Sequence, residues 1–221
     1  AKIKSDEPAI LTALRCYTGT ELNDSIPPVI IRYATTAGTN ALLERKGLKT
    51  LLATTSGFAD VQKIGYQDRP DIFKLHIRKP APLACFTVEL DERTSATGEI
   101  LHPLNRSKAL DSFKRFLELG AESVAVSLLN SWVNPDNELI AGDLASEAGF
   151  TEIYLSHESS PLMGLIPRTD TAVVDAYLTP VIRNHLDKIA TPLPQSSVLK
   201  VMTSAGGLTD GRCFQGRESL L

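Results

Sequence analysis

Cysteine is scarce, with three residues in a chain of 221, and no two of them form a C-x-x-C pair. Cys16, Cys85 and Cys213 are scattered and odd in number, which argues against a disulfide framework and fits a reducing cytoplasm. Charge of one sign is also lacking: 23 basic and 26 acidic residues leave a formal net charge of -3. That excludes the basic footprint of a nucleic-acid binder or of a protein drawn to acidic membranes. No apolar run approaches the roughly 20 residues that span a bilayer. The P-loop, the G-x-G-x-x-G turn and the G-x-S-x-G nucleophile elbow are all missing. His157 has no second histidine at i+4, so the zinc-protease helix fails too, and no metal-ligand set is expected.

What is present is an ordinary globular composition, 43% hydrophobic and 22% charged, long enough for one large domain or two small ones. Apolar spacing predicts a helix over 7–17 ending at Gly19 and a buried strand at 29–33. A helix over 41–46 closed by Gly47, a strand at 50–54 and a short helix at 59–64 follow. Residues 65–82 are mostly polar, carry three prolines and read as a long surface excursion, a type of segment that tends to be functional. A strand at 86–93 turns at 96–99 into a return strand beginning at 100. Beyond Asn105, helix and strand alternate: a helix to Gly120, a strand at 123–129, a helix at 136–148 closed by Gly149, and a strand at 152–156. The longest helix spans 169–190, where Pro180 should kink or divide it near Thr179. A last strand at 198–202 enters the loop 203–207, with no closing element expected after it. Short connections of this kind predict an α/β fold with covered sheet faces. Trp132 is expected in the core or plugging a strand end.

Three segments could carry chemistry. Thr35-Thr36-Ala37-Gly38-Thr39-Asn40 is a hydroxyl- and glycine-rich turn between a buried strand and a helix N-terminus. Free N–H groups and hydroxyls there suit an anion or a polarised carbonyl; the same residues also read as simple capping by Thr39 or Asn40. Gln67, Asp68, Arg69 and Asp71 crowd an irregular stretch, where binding residues often sit, or else form an exposed loop with a local Arg–Asp pair. Ser204-Ala205-Gly206-Gly207 follows a strand directly, where backbone can come close to a ligand or merely turn.

Read together, these segments resemble one family. Thr35-Thr36-Ala37-Gly38-Thr39-Asn40 with residues 41–47 is similar to its signature run almost residue for residue. Residues 54–60, Ile64-Gly65-Tyr66-Gln67-Asp68-Arg69-Pro70-Asp71, Asp91-Glu92-Arg93 with Gly98-Glu99, residues 127–131 with Asn134-Pro135, residues 168–177 and residues 203–208 follow in the family's order. The resemblance, covering nearly the whole chain, is to the hydantoinase/oxoprolinase family, which includes ATP-dependent hydantoinases and 5-oxoprolinases and subunits of acetone and acetophenone carboxylases.

The resemblance implies part of an actin-like ATPase-type fold with a mixed sheet, α/β layers and a β-hairpin insertion. It implies an N-terminal region over 1–156 without its first phosphate hairpin, and the start of the hydantoinase A catalytic region over 157–221. The function implied is a fragment of an ATP-dependent enzyme that opens hydantoin or 5-oxoproline-like lactams by phosphorylating a ring carbonyl, with ATP and Mg²⁺ serving the parent. A ketone carboxylase subunit and a non-catalytic assembly module are the alternatives. Substrate-binding candidates are Thr36, Gly38, Thr39, Asn40, Gln67, Arg69 and Asp71, with Ser204, Gly206 and Gly207 as cleft-loop candidates. Partners implied are a small cyclic amide or ketone and a hydantoinase B-type subunit or domain, in a cytoplasmic oligomer. These residues alone are expected to be inactive toward Mg-ATP.

Overall fold

The computed structural model describes residues 7–69, 71–77 and 79–220. In chain order the first elements are α1 (Ala9–Thr18), β1 (Ile30–Tyr33), α2 (Ala37–Leu43), β2 (Thr50–Thr55), α3 (Val61–Ile64), β3 (Phe86–Leu90), β4 (Arg93–Thr94), β5 (Ile100–His102) and α4 (Arg106–Glu118). They are followed by β6 (Ser123–Ser127), α5 (Asp136–Ala148), β7 (Ile153–Leu155), α6 (Ser156–Ser159), α7 (Leu165–Ala190), β8 (Val198–Met202), β9 (Leu208–Asp210) and a 3₁₀ turn, Gly216–Ser219. They form two compact units, one of Gly47–Leu178 and one of the flanking segments Ala1–Lys46 and Thr179–Leu221.

The Gly47–Leu178 unit is built on a parallel sheet in the order β3-β2-β6-β7. Its middle strands, Thr-Leu-Leu-Ala-Thr-Thr and Ser-Val-Ala-Val-Ser, are buried at every position, as strands covered on both faces are. Leu51, Ala53, Val124 and Val126 pack under α4 and α5, through Phe113, Ala141, Leu144 and Ala145. On the opposite face Leu52 and Ala125 meet Ala172, Val173 and Ala176 of α7. Each fully buried Leu, Val or Phe contributes about 1.5–3 kcal/mol. Helix ends follow local chemistry: Asn105 Oδ1 accepts from Lys108 N at 3.3 Å, and Gly149 closes α5 in the left-handed conformation at φ 112°.

The strand expected over 86–93 is two strands. Parallel pairing ends at Thr55↔Leu90, where β2 itself ends, and the chain then turns through Asp91 and Glu92 into the antiparallel β4–β5 hairpin. Residues between the strand expected at 152–156 and the longest helix also form the short helix α6, and His157 stands on it. Trp132 is 38% exposed instead of core.

In the flanking unit the sheet is mixed, in the order β1-β8-β9: β1 runs parallel to β8 and β9 antiparallel to it. Leu11, Ile26 and Ile189 form its core, with Leu14, Tyr33 and Leu199 packed around them. The expectation of no closing element after residue 207 is corrected, because β9 pairs back on β8 and the 3₁₀ turn follows. Helix α7 begins at Leu165, earlier than periodicity suggests, and continues through Pro180 rather than dividing there. Proline removes only the bond to the Ala176 carbonyl, and packing on both sides of it keeps the helix intact. The boundary between units falls between Leu178 and Thr179, one step before that proline.

Helix α2 also differs from expectation. It spans Ala37–Leu43, so Gly38, Thr39 and Asn40 are helical instead of forming a loop. Its end is a Schellman arrangement in which Lys46 N bonds Ala41 O at 2.9 Å and Arg45 takes φ 55°. Gly47 therefore does not cap the helix. It lies against the Tyr177 ring, where a Cβ would stand 2.2 Å from Cδ1. All three cysteines are free and exposed. Among the described residues, no helix is long and apolar enough to cross a membrane.

Candidate functional site

Strands β1 and β8 are parallel neighbours, so the loops that leave their carboxyl ends emerge side by side. This brings Thr35 and Thr36 to the same cleft as Thr203 and Ser204, although about 170 residues separate them in sequence. The cleft holds about 430 Å³, and Tyr33, Glu218 and Ser219 complete its wall. Its hydroxyls are only partly committed. Thr35 Oγ1 accepts from Ala37 N at 3.1 Å and Thr36 Oγ1 from Asn40 Nδ2 at 3.4 Å, which leaves both O–H groups to donate. Glu218 is held by the N–H of Gln215 at 2.8 Å, in a capping box that closes the 3₁₀ turn. Tyr33 Oη pairs with His185 Nε2 at 3.0 Å; burial, reinforced by Lys188, pushes that histidine below its ordinary range. Among the described residues, no lining side chain is cationic. The cleft can therefore donate hydrogen bonds to a neutral or polarised oxygen.

The other residues of the signature run serve this wall. Gly38 is buried where a Cβ would stand 2.1 Å from Ser219 Oγ, so only glycine lets α2 meet the 3₁₀ turn. Thr39 Oγ1 donates to Ser219 O at 3.3 Å. Thr36 is the N-cap residue without a side-chain capping bond, so capping by Thr39 or Asn40 does not explain this run. Gly206 and Gly207 make the β8–β9 turn: Thr203 N donates to Gly207 O at 2.9 Å, and Gly206 takes φ 82°.

Gln67, Arg69 and Asp71 belong to the other unit. Gln67 sits at φ 58°, and Asp71 turns onto Phe73 N and pairs with Lys74 at 3.5 Å rather than with Arg69. Arg69 and Asp68 line a separate pocket. Pro70, within the same segment, lies outside the described residues.

The parallel sheet of the Gly47–Leu178 unit carries a polar network that pattern reading missed. Glu138, fully buried, accepts from Leu128 N at 3.0 Å, Ser156 Oγ at 3.0 Å, His157 N at 2.9 Å and His157 Nδ1 at 2.9 Å. Arg168, also buried, donates from Nη2 to Leu128 O and from Nε to Ser156 Oγ at 3.3 Å. Burial works to raise the Glu138 carboxyl, but the bonds from His157, Leu128 and its other donors outweigh it and hold it low. The same bond to Glu138 raises His157 against the opposing effect of burial, while burial lowers Arg168. Next to it, Glu92 accepts from Thr55 Oγ1 and from Asn137 Nδ2 at 2.9 Å, and burial raises its carboxyl. The signal available in sequence was a carboxylate on the small-residue face of α5, with Ala141, Gly142 and Ala145 at i+3, i+4 and i+7.

Residues 2–149 match the family model described as the hydantoinase/oxoprolinase N-terminal region, and residues 168–221 match one described as hydantoinase/oxoprolinase. A 5-oxoprolinase of Saccharomyces cerevisiae is 36% identical over 220 residues, covering 86% of this chain and 17% of the yeast protein. An acetone carboxylase in a nucleotide-free structure, from work on ATP-dependent acetone carboxylation, superposes with a TM-score of 0.75 at 25% identity, over 85% of this chain and 29% of that one. An ATP-dependent caprolactamase from Pseudomonas jessenii gives 0.79 at 24% identity, over 96% and 33%, a likeness of fold. The architecture is part of the actin-like ATPase type that both share. The chain thus spans about a sixth of the length of the 5-oxoprolinases it matches.

Proposed function

The chain belongs to the hydantoinase/oxoprolinase family, and from that premise we propose that it is part of an ATP-dependent enzyme that opens cyclic amides of the 5-oxoproline kind. The observation that carries the reading is the convergence of Thr35, Thr36 and Ser204 at the carboxyl ends of β1 and β8. In this proposal Thr36 and Ser204 donate to the carbonyl oxygen as charge develops on it, the interaction that favours attack at the ring carbon. Gly38, Thr39 and Asn40 position that wall, and Gly206 and Gly207 shape the facing turn. Gln67, Arg69 and Asp71 are proposed as binding residues of the other unit. The two family matches support a division near residue 156 into an N-terminal region and the start of a second one.

The cleft does not fit a nucleotide cradle by itself. Among the described residues its wall offers hydroxyls and one committed carboxylate, and no lysine or arginine to meet a triphosphate. ATP with Mg²⁺ is proposed for the whole enzyme, as is a hydantoinase B-type partner in a cytoplasmic oligomer. The purified 221-residue chain is expected to show no Mg-ATP turnover, and measured phosphate release above background would contradict this.

In the full-length enzyme, Thr36→Ala and Ser204→Ala are each expected to lower kcat for 5-oxoproline-dependent ATP hydrolysis by about tenfold or more. Unchanged kcat and KM in both variants would sink the assignment. Ketone carboxylation is the second reading, favoured by the likeness to acetone carboxylase. ATP hydrolysis that responds to ketone plus bicarbonate and ignores lactams would replace the first reading with it.

A further inference from the structure

The excursion that follows α3 carries an apolar turn in open solvent. Asp71 organises it, accepting from Phe73 N through Oδ1 at 3.2 Å and from Lys74 N through its carbonyl at 3.4 Å. On this turn Ile72 is 69% exposed, Phe73 93%, and Leu75 is wholly exposed. Three large apolar side chains grouped in water mark a contact surface. The segment is also basic: residues 69–79 hold four lysines and arginines against one aspartate. The same unit, Gly47–Leu178, holds a hollow of about 630 Å³ between α3 and the start of α7. Phe58, Ile64, Tyr66, Met163, Leu165 and Ile166 give it an apolar wall, and Tyr66 and Met163 are themselves largely exposed. Its charged lining side chains are Asp60 and Glu89, and among the described residues no cation lines it. Glu89 is held at the rim through one oxygen, which accepts from Gly57 N at 2.8 Å and Ala59 N at 3.3 Å. Two cations beside the hollow are committed, Lys63 to Asp60 and Arg93 to Ser56 O and the face of the Phe58 ring.

Turn and hollow match in two respects: apolar side chains in a basic segment, and an apolar wall with an acidic rim. Phe73 does not fill the hollow of its own chain, because almost all of its surface meets solvent. Only a few residues separate Tyr66 of the hollow from Phe73, so a two-fold axis lets each copy give a turn and receive one. We propose that this face joins two copies of the chain, with Phe73 and Leu75 of each entering the hollow of the other and the basic segment facing Glu89. This supplies a surface for the oligomer proposed above and does not rest on the lactam chemistry.

The test is sedimentation of the full-length polypeptide over a range of concentrations. The parent should self-associate, and Phe73→Ser and Met163→Asp should each weaken that association by about thirtyfold or more, as removal of a buried aromatic anchor or of its pocket does. Both positions are exposed within one chain, so neither substitution disturbs a core. After oxidation, a mixture of separately prepared Phe73→Cys and Met163→Cys chains should give a disulfide-linked dimer that neither preparation gives alone. A parent that sediments as a monomer would overturn the proposal, as would variants that associate like the parent. So would a disulfide that forms only within one chain of the doubly substituted protein, or variants that lose only a hydantoinase B-type partner and still self-associate. Sedimentation needs no turnover, so a monomer that still opens lactams would end this proposal and leave the functional reading standing.

Discussion

Glu138→Ala is expected to lose about 3–5 kcal/mol of stability, the range found when one member of a buried ionic network is removed. The carboxylate joins α5 to the end of β6 at Leu128, to α6 at Ser156 and His157, and, through Ser156, to Arg168 of α7. Without it, Arg168 keeps its charge in the interior with only the neutral acceptors Leu128 O and Ser156 Oγ, and Leu128 N and His157 N lose their partner. For a chain of this length the melting temperature should fall by roughly 10 °C. A loss under about 1 kcal/mol would show that the network is not a structural clamp.

The same network sets a pH dependence whose sign can be worked out. His157 is raised in the folded state, so its contribution is complete below its ordinary value of 6.5 and disappears as pH rises through the raised value. Glu138 is lowered, so its contribution is complete above the ordinary 4.5 and disappears as pH falls through the lowered value. Around His157 the charged groups are Glu138 on α5, Glu158 on its own helix and Arg168 on α7. Thermal unfolding against pH should decline on the alkaline side, and His157→Gln should flatten that limb and also reduce the acid one, because the His157 bond is the largest of those that hold Glu138 low. Superimposable curves for parent and variant would refute the assignment.

Gly47→Val is the second large effect, expected to cost about 3 kcal/mol. The clash is with ring carbons of Tyr177, which is 6% exposed and hydrogen-bonded through its carbonyl to Leu48 N at 3.1 Å. Neither the ring nor the strand entry can retreat without opening the contact, so relief must come from shifting α7. Tyr177→Ala in the Gly47→Val background should recover part of the loss, measured as a coupling energy in a double-mutant cycle. Full additivity of the two substitutions would show that the contact is not the cause.

Where local chemistry decides, the sequence was legible. Asn105 and Gly120 bracket α4 and Gly149 ends α5, because caps and left-handed turns depend on residues within a few positions. The continuous apolar runs of β2 and β6 announced strands buried on both faces. The failures share a cause. Gly38, Thr39 and Asn40 carry loop-like composition, and docking against Ser219, about 180 residues later, makes them helical. Strand β9 exists through pairing with β8, and α6 is held by a carboxylate from another helix.

For the site, composition identified the hydroxyl-rich and glycine-rich turns and the Gln67–Asp71 stretch as unusual, and motif order established the family. Only the tertiary structure decided that Thr36 and Ser204 share a cleft, because their proximity follows from the parallel register of β1 and β8. It also placed Arg69 on a pocket within its own unit. Glu138, His157 and Arg168 became visible only in three dimensions. Their spacing in sequence follows no single period, and burial is what turns three ordinary charged side chains into one network.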